Sequence, residues 1–522
     1  MSNLSELIGG GGGGGKTLEF IASGALPSGR NVILNANGTV SLSAEATATQ
    51  AIPDGGQQTG PAYSYGGYYT FLPATPNKIV WVWTNSSGYF VCNIGTVSGT
   101  TVTFGADTYP LGSVSNAMSP LQIEADPTQP NRLLVLGGNS SQYGCLLSGI
   151  LVNGAMVWST LVVIISKINF TGRLSFDPAT TTTSKFAVSY GYRDYNPNNW
   201  AAACIAGYMP LGNTAPAPTI GTQVIFKPSI TSYPVSTITM GMRPDVAGNF
   251  VLLYRETGYS PPGGYYSRGC QVAAGTGTTI TLGAAVRWST ASGAVTQIAF
   301  DPSSTAGKFI MVYGYRPNTN AALAARVGTL SGSSVSFGSE QNLVMPPYDK
   351  NAGMTSQGVS FQANTGGIFS MVYHSWYSNS EPYRARCRLA TYSGTTITFQ
   401  TEILLPNIYA GNALLQAGDP NNPGFFIINP SASNAGVWAC QMAVPVPNTT
   451  VNNYLGVTNS AIANGATGEV TMVGGVASNL NSLTANSDYY VQPNGTLTTA
   501  SAYPAVKAGR ALSSTSINLE YS

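Results

Sequence analysis

The chain has 522 residues, and Lys, Arg, Asp and Glu make up only 8% of them, against about 25% in ordinary globular proteins. That deficit excludes coiled coils, long solvated helices and charge-driven disorder, and a net charge of +2 offers no basic stripe to nucleic-acid phosphates. Hydrophobic residues (43%) suffice for a large core, and 61 Gly with 32 Pro, set between short runs of Val, Ile, Thr, Tyr and Phe, predict many short strands joined by turns.

Residues 1–16 read as a flexible Gly-rich tether. Met1 to Ile8 lacks the basic and apolar regions of a secretory signal, and Gly9 to Gly15 is an unbroken glycine run. Gly10, Gly15, Lys16 and Thr17 match the phosphate-loop pattern literally. That chemistry needs a strand before the glycines and a helix after them, and neither is legible here. Residues 17–44 read as a small β module, in which Val32-Ile33-Leu34 enters an Asn37-Gly38 turn, a strong hairpin signal.

Residues 45–446 repeat. The unit is a turn marker, a strand, a second strand ending in an aromatic residue, a variable loop, a third strand, a Ser-Gly or Thr-Gly turn, and a Thr/Ser-alternating strand. The alternating strand recurs as Thr101-Val102-Thr103-Phe104, Ser334-Val335-Ser336-Phe337 and Thr396-Ile397-Thr398-Phe399, more loosely as Thr279-Ile280-Thr281-Leu282, and its period of two predicts half-buried strands. The markers Thr75, Asp126, Asp177, Asp245, Asp301, Asn364 and Asp419 lie about 57 residues apart on average. Four-stranded units of that length predict an all-β seven-bladed propeller flanked by small β modules, rather than a solenoid with its shorter repeats or stacked sandwiches. The seventh unit lacks its last strand, so a strand within Ala46 to Ile52 is expected to complete it. No run approaches the ~20 apolar residues of a membrane span.

Six cysteines permit three disulfides, but Cys92, Cys270 and Cys387 each precede a turn glycine by seven residues, as does Ala325. This spacing predicts one small buried position per unit, held by reduced cysteines. One histidine, His374, and no Cys-x-x-Cys predict no metal site, and no cofactor is expected. No catalytic residue is assigned and the chain is expected not to be an enzyme. Paired carboxylates meeting in space leave a virion glycan depolymerase as an alternative.

The loop after the aromatic-ended strand emerges on one face of a propeller. There the chain carries Tyr192, Arg193 and Tyr195; Tyr259, Tyr265 and Tyr266; Tyr315 and Arg316; and Trp376, Tyr377 and Tyr383. Broad amphipathic rings and planar guanidinium forks suit sugars or a protein partner, so these are the candidate ligand-binding residues. Tyr190, Tyr254, Tyr313 and Tyr373, at the strand ends, are expected to pack between blades.

Residues 447–522 form a last β module. Leu483 to Leu497 aligns without a gap to Leu26 to Val40, each with an Asn-Gly-Thr turn (Asn37-Gly38-Thr39 and Asn494-Gly495-Thr496). Ile462 to Val470, Gly474-Gly475-Val476, Tyr489-Tyr490-Val491 and Lys507 to Leu512 resemble the C-terminal module of bacteriophage tail-fibre proteins, and the poly-Gly start with its hairpin resembles marine-phage virion proteins. The resemblance covers about 120 residues at the two ends and carries over no functional residue. It implies a structural virion protein, a tail fibre or spike subunit, often trimeric. Such a subunit is made in the host cytoplasm, is released on lysis, and attaches to other virion proteins through its N-terminal tether. The expected function is host adhesion, with the propeller face binding a surface glycan or receptor; capsid decoration or a connecting fibre piece without a specific ligand is the alternative.

Overall fold

The structure, a computed structural model, describes residues 16–47 and, with internal stretches excepted, 65–520. The excepted stretches of four residues or more are 194–198, 273–277, 290–294, 316–321, 344–356, 362–366, 376–383, 410–413, 419–424, 431–437 and 500–505. The chain divides into two compact units, Ala51–Met442 and the flanking segments Met1–Gln50 with Ala443–Ser522.

In the larger unit seven antiparallel sheets follow one another along the chain. Their first strands are Tyr65–Phe71, Ser119–Ala125, Ile168–Phe176, Val235–Met242, Val295–Phe300, Gln357–Phe361 and Leu414–Gly418. Each first strand lies against the first strand of the next sheet, and the seventh lies against the first, closing a ring. This is the all-β, seven-bladed propeller that the repeats predict.

Apolar layers fill the spaces between sheets. Leu134, Leu136 and Leu146 of the second sheet meet Phe186, Tyr190 and Ala203 of the third, and Val251 and Leu253 of the fourth meet Phe309, Met311 and Tyr313 of the fifth. Second strands are covered on both faces and so read as continuous apolar runs, as in Ile79-Val80-Trp81-Val82-Trp83. Fourth strands are covered on one face and alternate, with Val102, Val335 and Ile397 buried between exposed Thr and Ser.

One expectation changes, and a second falls mostly outside the described residues. Sheets two to six hold five strands rather than four, because the outer edge of the third strand is covered by two short strands end to end; in the fifth sheet these are Ser334–Phe337 and Gln341–Leu343. The seventh sheet has three strands among the described residues, and Glu45–Thr47 does not join it. It pairs with Pro445–Pro447, where the chain returns from the ring; residues 48–52 lie outside the described residues.

Five described cysteines are buried and reduced. Cys92, Cys204, Ala325 and Cys387 share one position, opposite Val82, Ser189, Val312 and Val372. Cys270 does not share it, because it pairs with Phe250, where other sheets place Gly207 or Gly328. Seven residues separate Val272 from its partner Ile280, where two separate Ser331 from Ser334, and this difference produced the matching spacing. Burial pushes the Cys92 and Cys204 thiols up to about 12, which keeps them inert.

The turn markers stitch neighbouring sheets. Asp177 Oδ1 accepts the Ala179 amide (3.1 Å), and Oδ2 accepts the Gly248 amide of the fourth sheet (2.7 Å). Asp301 bonds Ser303 and the Gly367 amide of the sixth sheet in the same way. Asp245 departs from this pattern. Arg243 occupies the aspartate's place, chelated by Asp245 (2.6 Å), and donates to Leu330 O and Thr305 O of the fifth sheet.

First strands end their sheets, and side chains of the preceding sheet bond some of their backbone groups. Gln122 bonds both N and O of Leu174 (2.8 Å each), and Gln297 accepts the Val359 amide (2.7 Å). Glu124, two residues along from Gln122, takes hydrogen bonds from the Phe176 amide and the Ser175 hydroxyl, and burial pushes its carboxyl up to about 8. The folded protein therefore keeps a proton that the unfolded chain, at about 4.5, has lost. Stability falls as pH rises from about 4.5 to about 8 and is level above that range. Glu124→Gln is expected to remove this slope and to be more stable than wild type at pH 8.5, read from urea unfolding at pH 5 and 8.5; equal slopes would contradict the assignment.

The smaller unit is a five-stranded motif present twice. One sheet runs Thr17–Ile21, Thr467–Met472, Tyr454–Thr458, Asn31–Leu34, Val40–Leu42; the other runs Val476–Ala477, Ile517–Leu519, Lys507–Ala511, Asp488–Val491, Leu497–Thr498. Numbered along the chain, both have the order 1-5-4-2-3. The registers agree down to the bulge. Asn31, Val32 and Ile33 face Val457, Gly456 and Tyr454, as Asp488, Tyr489 and Tyr490 face Arg510, Gly509 and Lys507. Gly456 and Gly509 hold φ of 155° and 150° there, and a Cβ would sit 2.0 and 1.9 Å from the carbonyl oxygens of Thr471 and Asn518.

The flanking segments, which read from sequence as two separate modules, are thus two copies of one motif in one unit. The first copy is interrupted between its third and fourth strands by residues 43–453, where the second has only 500–506. Replacing 43–453 by the second copy's 500–506 is expected to leave an all-β unit that melts cooperatively by circular dichroism; a chain without a melting transition would contradict this. The literal phosphate-loop match fails as well, because Lys16 leads into the strand Thr17–Ile21 and not a helix.

Candidate functional site

Tyr190, Tyr254, Tyr313 and Tyr373 occupy one position at the outgoing end of the second strand and are buried between sheets, as expected. Three of them meet an arginine from the third strand. Arg268 Nε lies 3.3 Å from Tyr254 Oη, Arg326 Nε 2.9 Å from Tyr313 Oη, and Arg388 Nε 3.0 Å from Tyr373 Oη. The register explains the repetition: each arginine stands opposite the residue two before the tyrosine, Leu252, Met311 or Met371.

The fifth sheet holds the fullest version. Tyr313 Oη donates to the Glu340 carboxylate while Arg326 Nη2 reaches Glu340 Oε2 at 3.2 Å. Burial first, and the Glu340 hydrogen bond second, raise the Tyr313 hydroxyl far above the usual phenol range, so it keeps its proton and donates it in the hydrogen bond to Glu340. Glu340 sits in the gap between the two short outer strands, and Trp288 of the fourth sheet packs edge-on against Tyr313 at 4.9 Å. Arg326 and Glu340 are each about one-fifth exposed (21% and 20%). The cluster thus sets a fixed donor beside a fixed acceptor next to aromatic rings, an arrangement that can offer hydrogen bonds to a polar ligand.

Other sheets vary the theme. In the fourth, Arg268 donates to Gly283 O (3.0 Å), and Tyr266 stacks on Tyr254 at 5.7 Å. In the first, Asn93 stands at the arginine position and donates to Asp107 (2.8 Å), whose place corresponds to that of Glu340.

The loop residues expected to bind ligand are distributed differently. Tyr192 is in the core, 7% exposed and packed on Tyr190, because it follows Tyr190 by two residues and so shares its inward face. Arg193 ends the second strand, half-buried. Tyr266 is half-buried in the layer facing the third sheet. Tyr259, Tyr265 and Tyr315 lie on strands, and only their backbone is described; Tyr195, Arg316, Trp376, Tyr377 and Tyr383 lie outside the described residues. Sequence reasoning missed Arg268, Arg326, Arg388, Glu340 and Trp288. The available signal was an arginine thirteen to fifteen residues after Tyr254, Tyr313 and Tyr373. Among the described residues no group of three or more His, Cys, Asp and Glu could hold a metal ion.

No family model and no curated protein matches the chain. Solved structures resemble the chain only at low identity. A lectin from Burkholderia pseudomallei is 10% identical over 74% of this chain and 99% of its own, with a TM-score of 0.48. An α-L-arabinanase from Penicillium chrysogenum is 10% identical over 80% and 98% (TM-score 0.34). A polysaccharide lyase, an ulvan lyase, is 8% identical over 75% and 96% (TM-score 0.42). Two of these three are enzymes by their descriptions, so the expectation that the chain is not an enzyme is not upheld.

Proposed function

We propose that the chain is a carbohydrate-binding virion protein, a fibre or spike subunit of a bacteriophage whose propeller recognises a host-surface glycan. The observation that supports this best is the Trp288–Tyr313–Arg326–Glu340 cluster, with tyrosine–arginine pairs at the same place in the fourth and sixth sheets. Repeated weak sites on one ring give avidity toward a repetitive polymer. The virion setting rests on the resemblance of the end segments to tail-fibre modules. In this reading the flanking unit and the N-terminal segment join other virion proteins, and the subunits trimerise.

Glycan-array binding by the full chain tests the recognition. Arg326→Ala is expected to weaken retention of the preferred glycan at least tenfold while leaving the melting temperature within a few degrees. Retention unchanged in the variant would overturn the assignment of the site. Release of reducing ends from the bound polysaccharide would add catalysis to binding.

A further inference from the structure

The outer rim of the second and third sheets departs from the chain's own repeat. One position of the fourth strand holds a hydroxyl residue in five sheets, as Thr103, Thr219, Thr281, Ser336 and Thr398. The second sheet has Val157 there, opposite Ile150. On the next strand of the same edge, the fourth and fifth sheets place Arg287 and Asn342 where the second and third place Val163 and Ile225. Val157, Val163 and Ile225 are 48%, 44% and 50% exposed. Leu211, also exposed, follows Pro210, whose carbonyl accepts a hydrogen bond from Arg132, the residue opposite Ile150. Among the described residues, the fourth to sixth sheets expose no large apolar side chain.

The strands Ala155–Trp158 and Val162–Ile165 both pair only with Gly144–Val152, so they end their sheet. An apolar sheet edge is a template for pairing with another chain, and polar residues are the usual guard against it. The charge pattern bears on which chain that is. Residues 133–166 and 195–226 contain no charged side chain. A surface that meets its own image brings like charges together, and a charge-free surface escapes that repulsion. To an unlike partner it offers no charge to recognise.

We propose that copies of this chain meet through this rim, with Val157, Val163, Leu211 and Ile225 at the apolar centre of the contact. A contact centred on four half-exposed side chains is weak and concentration-dependent rather than permanent. It leaves the fourth to sixth sheets, which carry the tyrosine–arginine pairs, outside the contact, and it does not depend on the carbohydrate reading.

Sedimentation velocity of the full chain over a concentration series tests it. Wild type is expected to self-associate reversibly. The double variant Val157→Ser with Val163→Asn, which installs the residues that the fifth sheet carries at these positions, is expected to keep its melting temperature within a few degrees and to associate at least tenfold more weakly. Leu512→Ser removes an exposed apolar side chain of the flanking unit and is expected to leave this association unchanged. Equal losses in the two variants, association unchanged in the double variant, or a wild type that stays monomeric at every concentration would overturn the proposal. Amide exchange of residues 155–158 and 162–165 that is as slow in the dilute monomer as in the associated chain would assign their cover to the chain itself and would also overturn it. Glycan retention by the double variant at low concentration is expected to match that of wild type, so this proposal and the carbohydrate reading fail separately.

Discussion

Asp126→Ala is expected to destabilise the propeller by about 3–5 kcal/mol, the cost of leaving a buried cation without its partner. Asp126 and Arg132 are both fully buried, 2.8 Å apart. Asp126 Oδ1 also accepts the amides of Thr128 (2.9 Å) and Gln129 (3.1 Å), which shapes the turn between the first two strands. Arg132 reaches across to the third sheet, donating to Pro210 O (2.6 Å) and to the Ser184 hydroxyl. Removing the carboxylate therefore loosens a turn and strands a guanidinium between two sheets. The double variant Asp126→Leu with Arg132→Met is expected to recover much of the loss, since apolar side chains of similar size avoid the desolvation cost. Urea unfolding of the single and double variants checks both statements. A single variant within 1 kcal/mol of wild type would show that the pair is not what joins these sheets.

Phe309→Ala is expected to cost about 3–5 kcal/mol, as for other large-to-small changes in a packed core. The ring is fully buried, 5.1 Å from Phe300 and 6.0 Å from Phe337. It lies over Gly328, whose added Cβ would fall 2.0 Å from the ring. The same contact recurs as Phe186 over Gly207, so an aromatic ring on a third-strand glycine is a repeated packing unit. Gly328→Val is accordingly expected to destabilise as well, by overpacking rather than by a cavity. Denaturant midpoints measure both, and a loss below 1 kcal/mol for Phe309→Ala would mean that the layer between the fourth and fifth sheets closes over the gap.

These two effects bear on how much the sequence displayed. The alternating strands such as Ser334–Phe337 were legible because one covered face imposes a period of two. Phe309 and its equivalents were legible as second-strand residues because coverage on both faces gives an apolar run. The outer fifth strands were not legible, since Gln341–Leu343 is three residues long and separated by an irregular step from Ser334–Phe337. Cys270 misled because spacing to a glycine counts residues in a turn, while position in a sheet is set by register.

The interruption of the first flanking motif was hidden for a related reason. Its strands pair across the whole propeller, as Thr17 does with Thr471, and a local reading sees only two short echoes. At the candidate site the aromatic residues stand out in the sequence, but Tyr192 shares the parity of Tyr190 on the same strand and so points inward. The arginines that meet Tyr254, Tyr313 and Tyr373 come from the neighbouring strand, so only the register brings them to the site.

The proposal that the propeller binds sugar is tested most directly by a crystal structure of the full chain grown with the oligosaccharide that it binds best. Sugar density is expected between neighbouring sheets, with hydroxyl groups on Arg326 and Glu340 beside Trp288. Density confined to the flanking unit, or a chain that retains no oligosaccharide, would contradict it.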